Sequence, residues 1–271
     1  MSNNLTLRSR ESRSSSIPSI CDNMMPEIET KAYTEPSERL IVALDVPDAK
    51  KAREIVEKLG ESVSFYKIGL QLLSSREGFT LSKILRDKQK NVFLDYKFSD
   101  IGNTIKNAVD SVKRDRNVSL LTVMGDEEIV TNASQAASGT DLKILAVTVL
   151  TTWTQEYLQR IGIDCSLEDF VIKKAEIAKN AGAHGVIASA REVVQLKKKF
   201  GPEFLVVTPG IRPFGSDNND QKRVTTPFEA ISNGADYIVV GRPITQHQDP
   251  LESANNIIQE IIEGRKHYEN S

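Results

Sequence analysis

The sequence predicts a (β/α)8 TIM barrel, an α/β fold in which eight parallel strands close into a cylinder surrounded by helices. Short apolar runs alternate strictly with stretches of helical spacing, and eight such units fit into roughly 230 residues. Charged residues or glycines follow several of the apolar runs, as expected where parallel strands end at a functional face. A doubly wound parallel sheet is the alternative fold.

Four strand–helix units are expected in the first half of the chain. Their strands are Leu40–Leu44, Ser64–Ile68, the run that begins at Asn91, and Val118–Val123. Apolar residues at helical spacing predict helices around 52–59, from Leu70 to about Lys88, and around 105–112. Asp126 is expected to cap the next helix, since two glutamates follow it in the first turn.

The second half continues the alternation. Its strands are expected at Lys143–Leu150, Gly185–Ala188, Phe204–Thr208 and Tyr237–Val240. An irregular stretch surrounds Trp153. Helices are expected around 171–178, at Val193–Phe200, at Pro227–Asn233 and around 257–262.

The N-terminal residues differ in composition from the rest of the chain. Residues 1–20 are rich in Ser and Arg and have no apolar core, which argues against a secretory signal. We expect 1–38 to be a disordered leader, with an organelle transit peptide as the alternative, and 39–271 to form a single catalytic domain. The two cysteines, Cys21 and Cys165, imply no disulfide framework, so a cytoplasmic location is expected.

Charge and motifs argue against several classes of protein. The formal net charge of -2 does not favour nucleic acid or an anionic membrane as a partner. No apolar run approaches the ~20 residues that span a bilayer. No G-x-G-x-x-G follows a strand, no metal-ligand spacing is present, and His184, His247 and His267 are not at catalytic strand ends. We therefore expect an enzyme that uses neither a cofactor nor a metal.

The most informative stretch is the charged end of the third strand. Asp95 and Lys97 are two residues apart, so an extended chain places them on one face, and Asp100 follows in the expected turn. A structural ion pair is the ordinary explanation of such a motif. However, Asp45 ends the first strand and Lys67 lies near the end of the second. Because these strand ends share one face of a barrel, the convergence predicts an active site.

The loops after strands seven and eight predict a phosphate site. They read P-G-I-R-P at 209–213 and G-R-P at 241–243, a region that often binds phosphate in this fold. Glycine lets backbone amides approach an anion, and Arg212 or Arg242 can hold it at two points. The polar segment Phe214–Arg223 is expected to be a lid over the substrate, with a flexible insertion as the alternative.

Together these motifs resemble the orotidine 5'-phosphate decarboxylase family. The resemblance spans about Leu40 to Ile262. Its motifs, in the family order, are L-D at 44–45, K-I-G at 67–69, D-x-K-x-x-D at 95–100 continued by I-G-N-T, P-G-I-R-P at 209–213, D-Q-K-R-V at 220–224 and V-V-G-R-P-I at 239–244. The resemblance implies conversion of orotidine 5'-monophosphate to UMP and CO2 without a cofactor, the last step of de novo UMP biosynthesis.

The resemblance also implies roles for individual residues. The matches to the family's charged tetrad are Lys67, Asp95, Lys97 and Asp100. Asp100 would reach the site of the partner subunit, which implies a homodimer with composite active sites. The substrate-binding matches are Asp45 at the ribose, Thr151 at the pyrimidine, Arg212, Gln221, Gly241 and Arg242 at the phosphate, with Thr104 and Pro209 in the matching motifs.

Lys97 is the expected proton donor. Loss of CO2 leaves negative charge on a ring carbon, and an ammonium flanked by Asp95 and Asp100 is suited to stabilise and then protonate it. Asp95 would lie near the leaving carboxylate. One departure from the family is Met124, at the end of strand four, where a histidine is usual. Met neither donates a hydrogen bond nor carries charge, so a supporting role is expected there.

Two other functions are alternatives. A related activity decarboxylates a keto-sugar phosphate with the same D-x-K-x-x-D motif, but those enzymes carry a metal-binding Glu where Lys67 stands. A non-catalytic phosphate-binding barrel would need a broken tetrad, and the four charged positions are intact in this sequence.

Overall fold

The structure, a computed structural model, describes residues 35–75, 78–213 and 225–270, and of Phe79 the backbone alone. Eight parallel strands close into a barrel in sequence order, with the last strand paired to the first. The strands are β1 (Leu40–Ala43), β2 (Phe65–Gly69), β3 (Asn91–Phe98), β4 (Val118–Met124), β5 (Lys143–Val147), β6 (Gly185–Ile187), β7 (Leu205–Thr208) and β8 (Tyr237–Val240). The predicted (β/α)8 TIM barrel is confirmed.

Helices connect the strands and cover the outside of the barrel. Those of the described chain are α1 (Ala49–Leu59), α2 (Leu70–Ser74), α3 (Gly78–Asp87), α4 (Gly102–Val112), α5 (Glu127–Ala137), α6 (Gln155–Arg160), α7 (Leu167–Asn180), α8 (Val193–Phe200), α9 (Pro227–Ser232), α10 (Arg242–Thr245) and α11 (Pro250–Glu269), with 3-10 turns at Pro36–Arg39 and Gly60–Ser62. None of these helices combines the length and the apolar composition that crossing a membrane requires.

Three local features differ from the prediction. The strand expected to reach Leu150 ends at Val147, so that 148–150 belong to the rim of the barrel. The single helix expected after β2 is divided into α2 and α3. Asp126 holds the cap position of α5, but its side chain makes no capping hydrogen bond to a described residue. Its carboxylate lies instead 3.4 Å from the ammonium of Lys174 on α7, an opposite charge that attracts it away from the helix end.

Apolar side chains fill the barrel and the space between strands and helices. The inner layer consists of Ile41, Ala43, Phe65, Phe93, Leu120, Leu145, Val207 and Val239. Successive side chains of a strand point to opposite faces, so the next inward position lies two residues further along. Phe65 is therefore followed by Lys67 and Phe93 by Asp95. The alternation that builds the core thus carries these charged groups to the carboxyl-terminal mouth of the barrel.

Candidate active site

Four charged side chains form a continuous row across the mouth of the barrel. The Lys67 ammonium donates a hydrogen bond to Asp45 Oδ1 at 2.9 Å and lies 3.4 Å from Asp95 Oδ2. Lys97 Nζ donates to Asp95 Oδ1 at 2.7 Å. The structure thus brings together the residues that the sequence placed at the ends of strands one, two and three.

Mutual charge stabilises the ionised forms in this row. Burial alone would lower the pKa of the Lys67 ammonium, but the charges of Asp45 and Asp95 and its hydrogen bonds to both raise it above its ordinary value. Burial alone would likewise raise the pKa of the Asp95 carboxyl. The charges of Lys67 and Lys97, together with hydrogen bonds from Lys97 and Thr122, hold that pKa below its ordinary value. Both shifts favour the ionised forms of Lys67 and Asp95 at neutral pH.

A bulge in β3 directs Lys97 into the site. β3 and β4 pair as far as Leu94 opposite Leu121 and pair again at Phe98 opposite Val123, so three residues of β3 face one residue of β4. Within the bulge, Lys97 has a φ of 51°, in the left-handed region that residues other than glycine rarely adopt. Strained backbone of this kind is concentrated at functional sites.

The β4 residue opposite the bulge is Thr122, which sequence reasoning missed. Its Oγ1 accepts a hydrogen bond from the Lys97 backbone N–H at 3.0 Å and donates one to Asp95 Oδ1 at 3.0 Å. Its hydroxyl is the one polar group among Leu120–Val123, and that isolated position was the available signal. A polar residue at an inward position of a buried strand requires a partner, which here belongs to the site.

The charged row lies between two cavities. The larger cavity, of about 420 Å³, is lined by Ala43, Asp45, Lys67, Gln71, Asp95, Pro209, Gly210, Arg212, Val239, Gly241, Arg242, Thr245 and Gln246. The smaller cavity, of about 150 Å³, is lined by Lys67, Phe93, Asp95, Lys97, Val147, Val149, Leu150, Thr151, Ile187, Pro209 and Val239. Lys67 and Asp95 line both, so a ligand that occupied the two cavities would contact the charged row at their junction.

The larger cavity has the character of an anion site. It contains two guanidinium groups, of which Arg212 is buried and held by its own loop through a hydrogen bond from Nη1 to the Ile211 carbonyl at 2.8 Å. Arg242 begins α10 directly after Gly241. Gly210 has a φ of 77°, which a glycine adopts without strain. Three further lining residues, Gln71, Thr245 and Gln246, were not predicted, because only the folded chain shows that α2 and α10 border this cavity.

The smaller cavity is walled mainly by apolar side chains, with the charged row along one side. Aliphatic residues of β5, β6 and β8 and Phe93 form the wall, and Thr151 is also among the lining residues. Such a lining suits a weakly polar group that meets charged side chains along one side. In the described part of the chain, no cluster of three His, Cys, Asp or Glu side chains is arranged to hold a metal ion.

Several predicted site residues lie apart from the cavities. Asp100 is exposed, and its carboxylate accepts a hydrogen bond from the Ile101 N–H at 2.7 Å. Among the described residues it forms no ion pair with Lys67 or Lys97 of the same chain. Thr104 is exposed in the first turn of α4 and is not among the described residues that line either cavity.

Other expectations concern positions away from this row. Gln221 and the whole of the expected lid, Phe214–Arg223, lie outside the described residues. Met124 is half-buried at the end of β4 and packs against the outer apolar layer, with Val147 as its strand partner. It is not among the described residues lining the two cavities.

A family model and curated relatives that match this chain carry the same enzyme name. The family model for orotidine 5'-phosphate decarboxylase / HUMPS matches residues 38–257. The orotidine 5'-phosphate decarboxylase of Caulobacter sp. is 44% identical over 223 residues, 82% of this chain and 96% of that protein. The enzyme of the same name from Afipia carboxidovorans is 45% identical over 232 residues, 86% of this chain and 98% of that protein.

A solved structure agrees with these sequence relatives. The crystal structure of orotidine 5'-phosphate decarboxylase from Lactobacillus acidophilus superposes with a TM-score of 0.71 at 32% identity, covering 83% of this chain and 99% of that one. The family match extends over the whole barrel, from before β1 into α11, and includes every strand that contributes to the charged row. This chain belongs to the orotidine 5'-phosphate decarboxylase / HUMPS family.

Proposed function

We propose that this protein decarboxylates orotidine 5'-monophosphate to UMP and CO2 without a cofactor, the last step of de novo UMP biosynthesis. The observation that carries the proposal is the row of Lys67, Asp95 and Lys97 at the junction of a cationic and an apolar cavity. The names of the relatives favour this activity over a keto-sugar-phosphate decarboxylase or a non-catalytic barrel.

A nucleotide matches the two cavities in chemistry and order. The phosphate would bind in the larger cavity to Arg212, Arg242 and the backbone of Gly241, since guanidinium groups hold phosphate oxygens through charge-assisted hydrogen bonds. The ribose would lie between the cavities at Asp45. The pyrimidine would enter the smaller cavity beside Thr151. Gln221 stays a predicted phosphate contact.

The reaction is a heterolytic bond cleavage followed by a proton transfer. The bond between the ring carbon and the carboxylate breaks, CO2 leaves, and the electron pair stays on the ring carbon. The Lys97 ammonium stabilises this developing charge and then donates its proton to the same carbon, which completes UMP. Asp95 positions that ammonium through the 2.7 Å contact, and Lys67 keeps Asp95 ionised.

The finer proposal is a homodimer in which each site borrows one carboxylate. Asp100 is exposed next to Ile101, a large apolar side chain with 72% of its surface in solvent, and Leu70 on α2 is 54% exposed. Contact with another protein chain would remove these apolar side chains from water. A second copy of the chain covering them would bring its own Asp100 to the neighbouring site. Cysteine usage favours a reducing compartment, so we place the enzyme in the cytoplasm.

The direct test is an assay of the purified chain with orotidine 5'-monophosphate. We expect the absorbance of the orotate ring to decline as UMP forms, at the same rate with and without EDTA. A folded protein that fails to consume the substrate contradicts the proposal, and a requirement for a divalent metal contradicts the cofactor-free mechanism.

Lys97→Ala separates chemistry from binding. Since Lys97 is the proposed proton donor, we expect kcat to fall by at least about a hundredfold, the lower range of general acid contributions, while UMP affinity changes little. Lys51→Ala is the matched control, because Lys51 forms an exposed pair with Glu54 on α1 and should retain full activity. Turnover of Lys97→Ala within tenfold of the wild type would contradict the assignment.

A further inference from the structure

We infer that Thr122 is a positioning residue for this reaction, whose hydroxyl holds the Lys97 backbone and the Asp95 carboxylate in their working arrangement. The inference rests on the proposed function, since it concerns the same site. It depends on three observations: the bulge in β3, the two hydrogen bonds of the Thr122 hydroxyl, and the complete burial of Thr122.

The bulge removes the ordinary partner of a backbone amide. In a regular parallel ladder, the Lys97 N–H would donate to a carbonyl of the neighbouring strand. Here three β3 residues face one β4 residue, and the amide donates instead to Thr122 Oγ1 at 3.0 Å. An unpaired buried amide would be costly, so this side chain takes the place of the missing carbonyl and stabilises the strained φ of Lys97.

The same hydroxyl also fixes the direction of Asp95. An amide can only donate and a carboxylate can only accept, so Oγ1 accepts from Lys97 and gives its hydrogen to Asp95 Oδ1, 3.0 Å away. That oxygen also receives the Lys97 ammonium, while Oδ2 faces Lys67 at 3.4 Å. Thr122 therefore determines which carboxylate oxygen faces which lysine.

Burial makes this arrangement difficult to replace. Thr122 is 0% exposed, and both its donor and its acceptor capacity are used within the site. If the hydroxyl is removed, the Lys97 amide and the Asp95 carboxylate each lose a partner at the same time. We expect the ammonium to lose its orientation toward the reacting carbon although no substrate contact is removed.

The test compares three threonine variants. Thr122→Val keeps the branched shape and removes the hydroxyl, and we expect kcat to fall at least tenfold with KM within threefold of the wild type. Thr122→Ser restores the hydroxyl and should recover kcat to within threefold. Thr148→Val is the matched control, because Thr148 is also buried and donates to the Ile187 carbonyl at 3.0 Å, outside the charged row. It should lose thermal stability and keep kcat.

Two kinetic results would overturn the inference. One is a Thr122→Val protein that keeps more than a tenth of the wild-type kcat. The other is a Thr122→Ser protein as impaired as Thr122→Val, which would assign the effect to the methyl group. A crystal structure of Thr122→Val gives a second readout without substrate, in which the contact between Lys97 Nζ and Asp95 Oδ1 should lengthen or the φ of Lys97 should change. An unchanged geometry overturns the inference even if the wild type proves inactive on orotidine 5'-monophosphate, which would instead refute the proposed function.

Discussion

Each buried charged side chain in this site is stabilised by a neighbour of opposite charge. Lys67 is 7% exposed, a burial that an ammonium tolerates because Asp45 and Asp95 lie on either side of it. Lys97 and Asp95 complete the alternation. Truncating one side chain of the row would leave the charge of its neighbour without a partner. Such variants are therefore expected to lose folding stability as well as catalytic activity. Residues that contact the ligand outside the row permit cleaner tests.

Arg242→Ala is such a test. Arg242 lines the larger cavity outside the charged row. Loss of a charge-assisted phosphate contact should weaken substrate binding by about 2–3 kcal/mol, so that kcat/KM falls mostly through a higher KM. The control substrate is orotidine, which lacks the phosphate. If Arg242→Ala impaired turnover of orotidine as strongly as that of the nucleotide, Arg242 would not be a phosphate ligand.

His184 provides a prediction about pH. Its Nδ1 accepts a hydrogen bond from the Ile144 N–H at 3.1 Å, and burial together with the charge of Lys143 lowers its pKa below the ordinary 6.5. The unfolded chain therefore binds this proton at higher pH than the folded chain does. The resulting stability is complete above about pH 6.5 and declines as pH falls below it.

His184→Asn keeps an acceptor near the Nδ1 position but cannot titrate. We expect the difference in unfolding free energy between about pH 7.5 and about pH 5.5, measured by urea denaturation, to be smaller in His184→Asn than in the wild type. Equal differences in the two proteins would show that His184 contributes nothing to this dependence.

The elements that carry the site are β2, β3 and the turns that follow them. β3 supplies Asp95 and Lys97 through its bulge, and β2 supplies Lys67 two residues before Gly69, which ends the strand. The Cβ of any other residue at this glycine would lie 2.8 Å from Asp45 Oδ1 and 2.9 Å from Lys67 Nζ. The turn after β2 therefore needs glycine to leave room for the ion pair.

Gly69→Ala should accordingly impair catalysis more than folding. The displaced atoms are the ends of side chains, so we expect kcat/KM to fall at least about tenfold, or ~1.4 kcal/mol, with a small change in Tm. In Gly185→Ala, the added Cβ would overlap the backbone carbonyl of Leu205 on the neighbouring strand. That variant should lose about 1–3 kcal/mol of stability and keep its activity when folded. Equal kcat/KM in Gly69→Ala and the wild type would contradict the steric argument.

At the scale of the whole molecule, the two ends of the barrel carry different charged clusters. The carboxyl-terminal end holds the charged row and both cavities. Near the other end, Asp236 binds the Lys197 ammonium and the Val206 N–H, and its carbonyl accepts from Arg39. Charged clusters at both ends are consistent with catalysis at the carboxyl-terminal face and stability at the other.

The homodimer proposal predicts complementation between subunits. Lys97→Ala and Asp100→Ala dimers should each be inactive, but a mixed dimer has one site in which both residues are intact. After subunit exchange, we expect activity to reach about a quarter of the wild-type value, since half of the dimers are mixed and each has one working site. Exchange is verified with differently tagged subunits. Absence of recovered activity in verified mixed dimers would contradict shared sites.

Much of this protein was predictable from local sequence. Helical spacing and short apolar runs are properties of neighbouring residues, so the eight units and the parallel barrel could be predicted without coordinates. Asp45, Lys67 and Asp95 could be located because each lies two residues after an apolar residue of a strand, by the same alternation that builds the core. Arg212 and Arg242 could be predicted as phosphate ligands because the loops after strands seven and eight often bind phosphate in this fold.

Tertiary structure alone decided how these residues meet. Thr122 is 25 residues from Lys97 in the chain, and the register between β3 and β4 brings the two together. The left-handed φ of Lys97 and the position of α2 and α10 beside the larger cavity are likewise visible only in the folded chain. Strand register and helix placement depend on packing among distant segments, whereas side-chain alternation depends on adjacent residues. The sequence alone therefore located the charged groups, and the folded barrel determined their distances and orientations.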